Sequence, residues 1–417
     1  MSATAPAPTD PTAAAVAGVP EGDSVADHVR AWWTGVRGGD FGSLPIVVGL
    51  VIIAVIFQTQ NSNFLTAGNF VNLVVQAAAI TTIAMGIVFV LLLGEIDLSV
   101  GFVSGVGGVI AALLTLQGGA WEWAGFPAIV VALLAGLAIG TLHGLLITKL
   151  GIPSFVVTLA GLLAWNGAVL LLIGSRGTVV IQSKLIVNLA NGFISEGVAW
   201  LLLVACVVIY AGGLLWQRMQ RRKADLPSDP PAVLAARVAL IAIIGAVVIY
   251  VMNKDRGVPY ILIVLAVLYI AWTHVLTRTT FGRHVYAVGG NKEAARRAGI
   301  NVDRIYIACF AICSMMATFG GVVLASRLSS VDTGAGGGTI LLYSIAAAVI
   351  GGTSLFGGRG NIKSAVLGAL VIASIDNGLG LLGLSSGTKF VITGLVLLAA
   401  VTVDSLSRRG LESSGRG

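Results

Sequence analysis

Charged side chains are scarce in this sequence. Asp, Glu, Lys and Arg make up 10% of the 417 residues, whereas a soluble globular domain has about 25%. Apolar residues reach 57%, and the mean hydropathy is +0.96. With so little charge, most of the surface must face lipid rather than water. The composition therefore predicts an integral membrane protein in contact with a lipid bilayer. A net charge of +7 could suggest a nucleic-acid partner. The basic residues cluster between apolar runs, however, where they set the orientation in the membrane, so we predict no nucleic-acid partner.

Residues suited to metal binding or covalent chemistry are also few. The three cysteines (Cys206, Cys309 and Cys313) lie in apolar runs, and the four histidines are scattered. Cys309 and Cys313 share a helix face, which leaves a metal or redox role open, but packing is the favoured interpretation. The chain has no Gly-x4-Gly-Lys-Ser/Thr loop to hold phosphates. We therefore predict no cofactor and no enzymatic activity of its own.

Long apolar runs separated by polar or glycine-rich breaks fill most of the chain. Most of them reach the ~17–25 residues that span a hydrocarbon core. The predicted fold class is all-α, a polytopic transmembrane helical bundle of about 12 spans, within a range of ~10 to 12. The predicted spans are Leu44–Phe57, Phe70–Leu93, Leu98–Leu116, Phe126–Leu150, Ser154–Ile173, Val198–Trp216, Val233–Met252, Tyr260–Val275, Ile305–Ser326, Thr339–Phe356, Ala365–Leu382 and Phe390–Val403.

Basic residues predict the orientation in the membrane. The basic segments Arg218–Lys223 and Arg278–Arg304 fall on one side if the chain alternates sides at each span. By the positive-inside rule this side is the cytoplasm, so both termini are expected there. The predicted domains are an N-terminal tail (1–43), disordered or interfacial, a membrane domain (44–404) with a cytoplasmic loop (277–304), and a cytoplasmic C-terminal tail (405–417).

Two glycine-rich breaks have similar composition. Residues 94–101 read Gly-Glu-Ile-Asp-Leu-Ser-Val-Gly, and residues 351–358 read Gly-Gly-Thr-Ser-Leu-Phe-Gly-Gly. Paired interruptions of apolar helices are typical of transport proteins, because the freed backbone groups need a cavity or protein partners. They are consistent with an internal repeat, although loop composition alone could also produce the match.

The segment Gly289–Ile300 predicts a short capped helix between two spans. Asn291 is a good N-cap, the Lys-Glu-Ala-Ala-Arg-Arg stretch favours a helix, and Gly299 suits the left-handed position after it. Such a helix would project from the membrane as a docking element. The alternative is a solvated basic loop that only obeys the charge rule.

Glu293-Ala294-Ala295 followed by Gly299 resembles the coupling-loop motif of permease subunits in ATP-binding-cassette importers. The Gly-Gly-Asn lead-in, the segments 94–101 and 349–360, and Asn377-Gly378-Leu379 resemble ribose/xylose-type sugar permeases, closest to the xylose branch. The matches extend from about residue 64 to residue 404 in family order. Two departures are Leu341-Leu342-Tyr343, where the family often has an acidic pair, and Asp376, where asparagine is usual.

The resemblance implies a permease subunit in the plasma (inner) membrane that forms the path for a monosaccharide. The expected cargo is xylose or another pentose. A separate cytoplasmic ATPase subunit would bind ATP and push on Asn291, Glu293, Ala294, Ala295 and Gly299. An extracytoplasmic sugar-binding protein would dock outside, with 175–197 and 327–338 as candidate contact segments. A permease homodimer is also expected.

Polar residues at membrane depth are candidates for the translocation path. These are Asp97, Ser99, Asp376 and Asn377. Ionisable groups such as the two aspartates cost several kcal/mol there unless paired or wetted, and Ser and Asn can supply the hydrogen bonds that a neutral sugar needs. Glu95 and Asp97 could instead cap the next helix at the cytoplasmic interface. The main alternative function is a stand-alone proton-coupled carrier of the major-facilitator type, with Asp376 as proton relay. A non-transporting scaffold would leave the glycine breaks unexplained.

Overall fold

A computed structural model describes residues 30, 43–226, 228–396, 398 and 402. Most of the predicted N-terminal tail (1–43), the end of the last predicted span and the C-terminal tail (405–417) lie outside these residues. The described chain is mainly helical, with four strands of two or three residues. This confirms a helical membrane-protein fold, to which the structure adds short strands that the sequence did not indicate.

Fourteen helices and four strands are numbered here in chain order. The helices are α1 (Leu44–Gln60), α2 (Ala67–Leu92), α3 (Val100–Leu114), α4 (Gly125–Lys149), α5 (Ser154–Ile173), α6 (Lys184–Asn191), α7 (Glu196–Lys223), α8 (Pro231–Asn253), α9 (Tyr260–Arg278), α10 (Thr280–Gly290), α11 (Lys292–Arg297), α12 (Val302–Leu328), α13 (Ile340–Ile350) and α14 (Ile362–Leu381). The strands are β1 (Thr178–Val180), β2 (Phe193–Ile194), β3 (Val258–Pro259) and β4 (Ser330–Asp332). A 3₁₀ turn covers Gly174–Arg176, and residues 386–396 are also helical.

Eight of the described helices are long and apolar enough to cross a membrane: α2, α4, α5, α7, α8, α9, α12 and α14. Three more are apolar but shorter: α1 has 17 residues, α3 has 15 and α13 has 11. The tenth predicted run was expected to continue to Phe356, and this is wrong beyond Ile350. Gly352 and Gly357 have φ of +104° and +85°, which a helix does not allow.

The described chain forms two compact units. The smaller unit contains residues 197–248, which comprise most of α7 and α8. Among its described residues only Ala199 and Leu234 are buried, although both helices consist largely of Val, Ile, Leu and Ala. Such an exposed apolar surface requires contact with lipid or another protein surface. Arg237 forms an ion pair with Asp229 at the start of α8, with Nη1 and Oδ2 2.8 Å apart.

The larger unit contains residues 43–196 and the described residues from 249 onward, and has α2 at its centre. This helix is buried along almost its whole length and packs against α9, α12, α13 and α14. Helix α12 packs closely on α4 because small residues line the contact. A Cβ added at Gly140 would lie 2.1 Å from Phe310 O, and one at Gly144 would lie 2.6 Å from Ile307 Cα. Close approach through small residues is typical of membrane helices.

Two antiparallel strand pairs lie in the segments between the long helices. In one pair Thr178 faces Asp332 and Val180 faces Ser330, and in the other Ile194 faces Val258. Residues 175–197, which polar residues and the absence of a long apolar run mark as a connection between two predicted spans, contain β1, α6 and β2. Helix α6 has a strongly apolar side that buries Ile186 and Ala190, which a reading of polarity alone missed.

Candidate functional site

Helix α11 has the caps that the sequence predicts. The Asn291 side chain accepts a hydrogen bond from Ala294 N at 2.9 Å. At the other end Gly299 has φ +83°, its N–H donates to Arg296 O, and Ile300 N–H donates to Ala295 O. These two bonds form a Schellman motif, which satisfies carbonyls that the helix end leaves free. A helix of six residues is too short to be stable alone, so its caps and contacts maintain it.

One side of α11 is anchored and the other is exposed. Ala295 is buried, whereas Glu293, Ala294 and the two arginines face outward. Glu293 Oε1 and Arg296 Nη1 are 2.8 Å apart, which adds a modest surface ion pair. The structure therefore presents a short helix with an exposed, mixed-charge face between α10 and α12.

Helix α10 replaces part of what the sequence suggests to be a basic loop. The Thr279 hydroxyl accepts from Gly282 N at 3.2 Å and caps the helix, and Val285 and Val288 are buried below it. Tyr286 donates to Gly360 O at 2.8 Å. Burial raises the pKa of Tyr286 above its ordinary value, which keeps the hydroxyl protonated as a donor. The signal that could have indicated α10 is this threonine followed by valines three residues apart.

The two glycine-rich breaks meet at the end of the larger unit that carries α11. Gly358 N–H donates to Leu92 O at 2.9 Å. A Cβ at Gly94 would lie 3.2 Å from Phe356 O, and one at Gly289 would lie 1.8 Å from Leu92 O. Three backbone segments distant in sequence thus touch directly, and glycine permits this close contact.

Asp97 and Ser99 belong to a buried chain of hydrogen bonds. Asp97 Oδ1 accepts from Ser99 N at 2.9 Å and from Ser99 Oγ at 2.6 Å. Ser99 Oγ lies 3.5 Å from His143 Nδ1, and Trp165 Nε1 donates to His143 Nε2 at 3.1 Å. Because indole N–H only donates, Nε2 must be the acceptor, so the imidazole proton is on Nδ1 and points toward Ser99. Asp97 therefore binds the backbone just before α3, as a capping residue does.

Glu95 has different hydrogen-bond partners from Asp97. It is partly buried and accepts from Tyr306 Oη at 3.0 Å and from Ser154 Oγ. These donors belong to α12 and to the start of α5. A pocket of about 510 Å³ opens beside them and is also lined by Lys292 and Arg296. The two acids of this break thus have separate surroundings.

Asp376 and Asn377 are adjacent but also face different partners. Asn377 exchanges two hydrogen bonds with Asn69, at 2.8 and 3.0 Å, and so joins α14 to α2. Asp376 is partly exposed, accepts from Tyr343 Oη at 3.4 Å, and is attracted by the charge of Arg327. The path residues predicted from the sequence therefore do not form one cluster. Asp97 and Ser99 lie at the end of the larger unit that carries α11. Asp376 and Asn377 lie toward its other end, near the start of α2 and the end of α14.

The sequence did not indicate the roles of several side chains that form hydrogen bonds or charge contacts at these sites. They are Tyr306 and Ser154 at Glu95, His143 and Trp165 at Ser99, Asn69 at Asn377, and Tyr343 and Arg327 at Asp376. Cys309 and Cys313 are fully buried in α12, a position that suits packing. Among the described residues no group of three or more His, Cys, Asp or Glu side chains could hold a metal ion.

Comparison with known proteins places these features in a family. Residues 69–401 match the family model described as branched-chain amino acid transport system / permease component. The chain is 37% identical over 369 residues to the xylose transport system permease protein XylH of Escherichia coli K12, covering 87% of this chain and 92% of the relative.

Two further relatives extend the comparison. XylH of Haemophilus influenzae Rd is 37% identical, with 88% and 98% of the two chains covered. The ribose import permease protein RbsC of Escherichia coli K12 is 30% identical, with 86% and 92% covered. No solved structure matches the chain.

Proposed function

Because the chain belongs to the permease-component family of branched-chain amino acid transport systems, we propose that it is the membrane-spanning permease subunit of an ATP-binding-cassette sugar importer. The observation that carries the coupling part of this proposal is α11, a doubly capped helix with an exposed face. It follows directly on Gly289 and Gly290, which contact Leu92 and Gly358 where the two glycine-rich breaks meet. The protein lies in the plasma (inner) membrane. The family gives no support to the stand-alone proton-coupled carrier.

We propose that the chain crosses the membrane about twelve times, with both termini in the cytoplasm. The eight long helices, the three shorter apolar ones and the helical residues 386–396 support this number. Orientation rests on the basic segments 218–223 and 278–304. On this topology α11 faces the cytoplasm, where an ATPase subunit can reach the exposed Asn291, Glu293, Ala294 and Gly299. Ala295, the fifth proposed coupling residue, is buried and anchors the helix that the ATPase would push. Closure of that ATPase would displace α11 and bias the bundle between inward- and outward-facing states.

The opposite end of the larger unit is the proposed docking surface for a sugar-binding protein. Both segments expected to contact that protein, 175–197 and 327–338, contribute to it. They are joined there by the β1–β4 pair. The homodimer of permease subunits remains part of this proposal.

Within the bundle, Asp97, Ser99, Asp376 and Asn377 are the proposed path residues. Support is strongest for Asp376, which is partly exposed and lies beside the Tyr343 hydroxyl. A neutral sugar needs such hydrogen-bonding groups. The amide pair of Asn377 with Asn69 favours a role in holding α14 on α2. We propose a pentose as cargo, with xylose before ribose, from the names of the relatives.

Co-purification tests the coupling assignment. The chain is expressed with the ATPase and the binding protein encoded beside it, and capture of the ATPase is measured. We expect Glu293→Arg to abolish capture, while Asp225→Arg, the same charge reversal at an exposed residue between α7 and α8, leaves it unchanged. Equal capture by the two variants would contradict the role of α11. Sugar uptake by the chain alone, driven by a pH gradient, would favour the carrier.

Sidedness has a direct test. A cysteine at Lys292, in a chain whose exposed Cys206 is replaced by alanine, should react with a membrane-impermeant maleimide only after cells are opened. Labelling in intact cells would place α11 outside and disprove the assignment. The cargo is identified by titrating the purified binding protein with xylose and ribose.

A further inference from the structure

Glu95 joins two helices through one carboxylate. Its Oε1 accepts from Tyr306 Oη of α12 at 3.0 Å, and its Oε2 accepts from Ser154 Oγ at the first residue of α5. Tyr306 and Ser154 are both buried. Hydrogen bonds to an ionised acceptor are stronger and shorter than neutral ones. The break between α2 and α3 is therefore held by side chains of two other helices.

Tyr306 also contacts α11. The Lys292 ammonium lies 4.5 Å from the centre of the Tyr306 ring, on the first residue of the short helix. An ammonium over an aromatic face is attracted by the ring quadrupole. One side chain thus binds α11 with its ring and Glu95 with its hydroxyl.

The connection is open on one side. A pocket of about 510 Å³ is bordered by Glu95, Lys292, Arg296 and Tyr306. Glu95 is partly exposed there, so water can replace the Tyr306 hydroxyl at its carboxylate, and removal of that hydroxyl creates no clash. The other contact near this point joins Gly289 to Leu92, but Gly289 belongs to α10, so this contact does not connect α11 to the α2–α3 break.

We propose that Tyr306 is a positioning residue that transmits displacement of α11 to the α2–α3 break through Glu95. This inference rests on the proposed function, in which an ATPase moves α11. A shift of α11 carries Lys292 and the Tyr306 ring with it, and the hydroxyl moves the Glu95 carboxylate. Because Ser154 shares that carboxylate, the start of α5 follows. The connection couples ATP hydrolysis to movement of the path and contributes nothing to hydrolysis itself.

The test separates coupling from assembly. Tyr306→Phe keeps the ring under Lys292 and removes only the bond to Glu95. The chain, its neighbouring ATPase and binding protein are reconstituted in proteoliposomes, and xylose uptake and ATP hydrolysis are measured together. We expect normal ATPase capture and normal basal hydrolysis, while the number of sugars imported per ATP falls about fivefold or more.

Tyr250→Phe is the matched control. Lys254 lies 4.5 Å from the Tyr250 ring centre, so the substitution makes the same change in the same kind of pair, away from α11. It should leave the sugar-to-ATP ratio unchanged. If Tyr306→Phe melts at a lower temperature, its effect on uptake could come from lost stability. In that case the exposed Lys292→Gln variant is used instead, and it should also lower the sugar-to-ATP ratio.

The outcomes are distinguishable. A wild-type ratio in Tyr306→Phe and in Lys292→Gln overturns this inference while the proposed function stands. Loss of ATPase capture in Tyr306→Phe also overturns it, because the residue would then serve docking. Failure of the unmodified chain to bind the ATPase overturns the proposed function and this inference with it.

Discussion

The two glycine-rich breaks have similar sequences and meet at one end of the larger unit, yet they are held differently. The first break, 94–101, is fixed by side chains: Glu95 and Asp97 accept hydrogen bonds from α12, from α5 and from Ser99. The second, 351–358, has no acid and is fixed by close backbone contact, with Gly351 against Ser364 O. Similar composition therefore does not imply a similar response to substitution.

The largest effect is expected at Gly351. A Cβ there would lie 1.8 Å from Ser364 O, so Gly351→Ala must push α13 and α14 apart. Overpacking of this kind costs about 3 kcal/mol. Thermal unfolding of the detergent-purified protein should show the greatest loss of the variants described here. Gly167→Ala on α5, where a Cβ meets nothing within 4 Å, is the control, and an equal loss there would refute the contact argument.

Substitution of Asp97 tests whether side-chain hydrogen bonds hold the first break in place. Asp97→Ala leaves the buried Ser99 N–H without its acceptor, which costs about 2 kcal/mol. Asp97→Asn keeps a carbonyl oxygen in place and should lose less than half as much stability in the same assay. If the two variants are equally destabilised, the negative charge matters more than the hydrogen bond.

Gly94 ranks third, because it lies in the first break and has both a left-handed backbone and a close contact with Phe356 O. Its φ of +78° is left-handed, and Gly94→Ala should cost about 1.5 kcal/mol from backbone strain. Gly290→Ala is the control: a Cβ there meets nothing within 4 Å, and the variant should be close to neutral. A neutral Gly94→Ala would show that the break can relax.

The smallest of these effects concerns the helix that follows the second break. Asn361 caps α14 by accepting from Ser364 N at 3.0 Å. Asn361→Ala should cost about 1 kcal/mol, and Asn361→Asp should restore the cap. A stability loss in Asn361→Asp as large as in Asn361→Ala would argue against the cap.

Local chemistry explains what the sequence could predict. The caps of α11 were predictable because Asn291 and Gly299 act within one short helix. The apolar runs were predictable because a membrane span needs only length and hydrophobicity. Their ends were less certain: α13 stops at Ile350, where positive-φ glycines override an apolar pattern that continues to Phe356.

Long-range pairs could not be predicted in this way. Tyr306 and Glu95 are 211 positions apart, and Asn377 and Asn69 are 308 apart, so no periodicity connects them. The sequence indicated that the polar residues near 97 and 376 matter at membrane depth. It could not divide them into capping, helix pairing and contact with other polar groups, because tertiary packing alone sets those partners.

The burial of α2 has a consequence for biogenesis. This segment is apolar enough to leave the insertion machinery as an independent span, yet in the finished unit almost none of it contacts lipid. Its covering helices α12, α13 and α14 are synthesised near the end of the chain. During translation α2 must therefore rest against lipid or temporary neighbours, and the centre of the bundle is completed only when the last helices arrive.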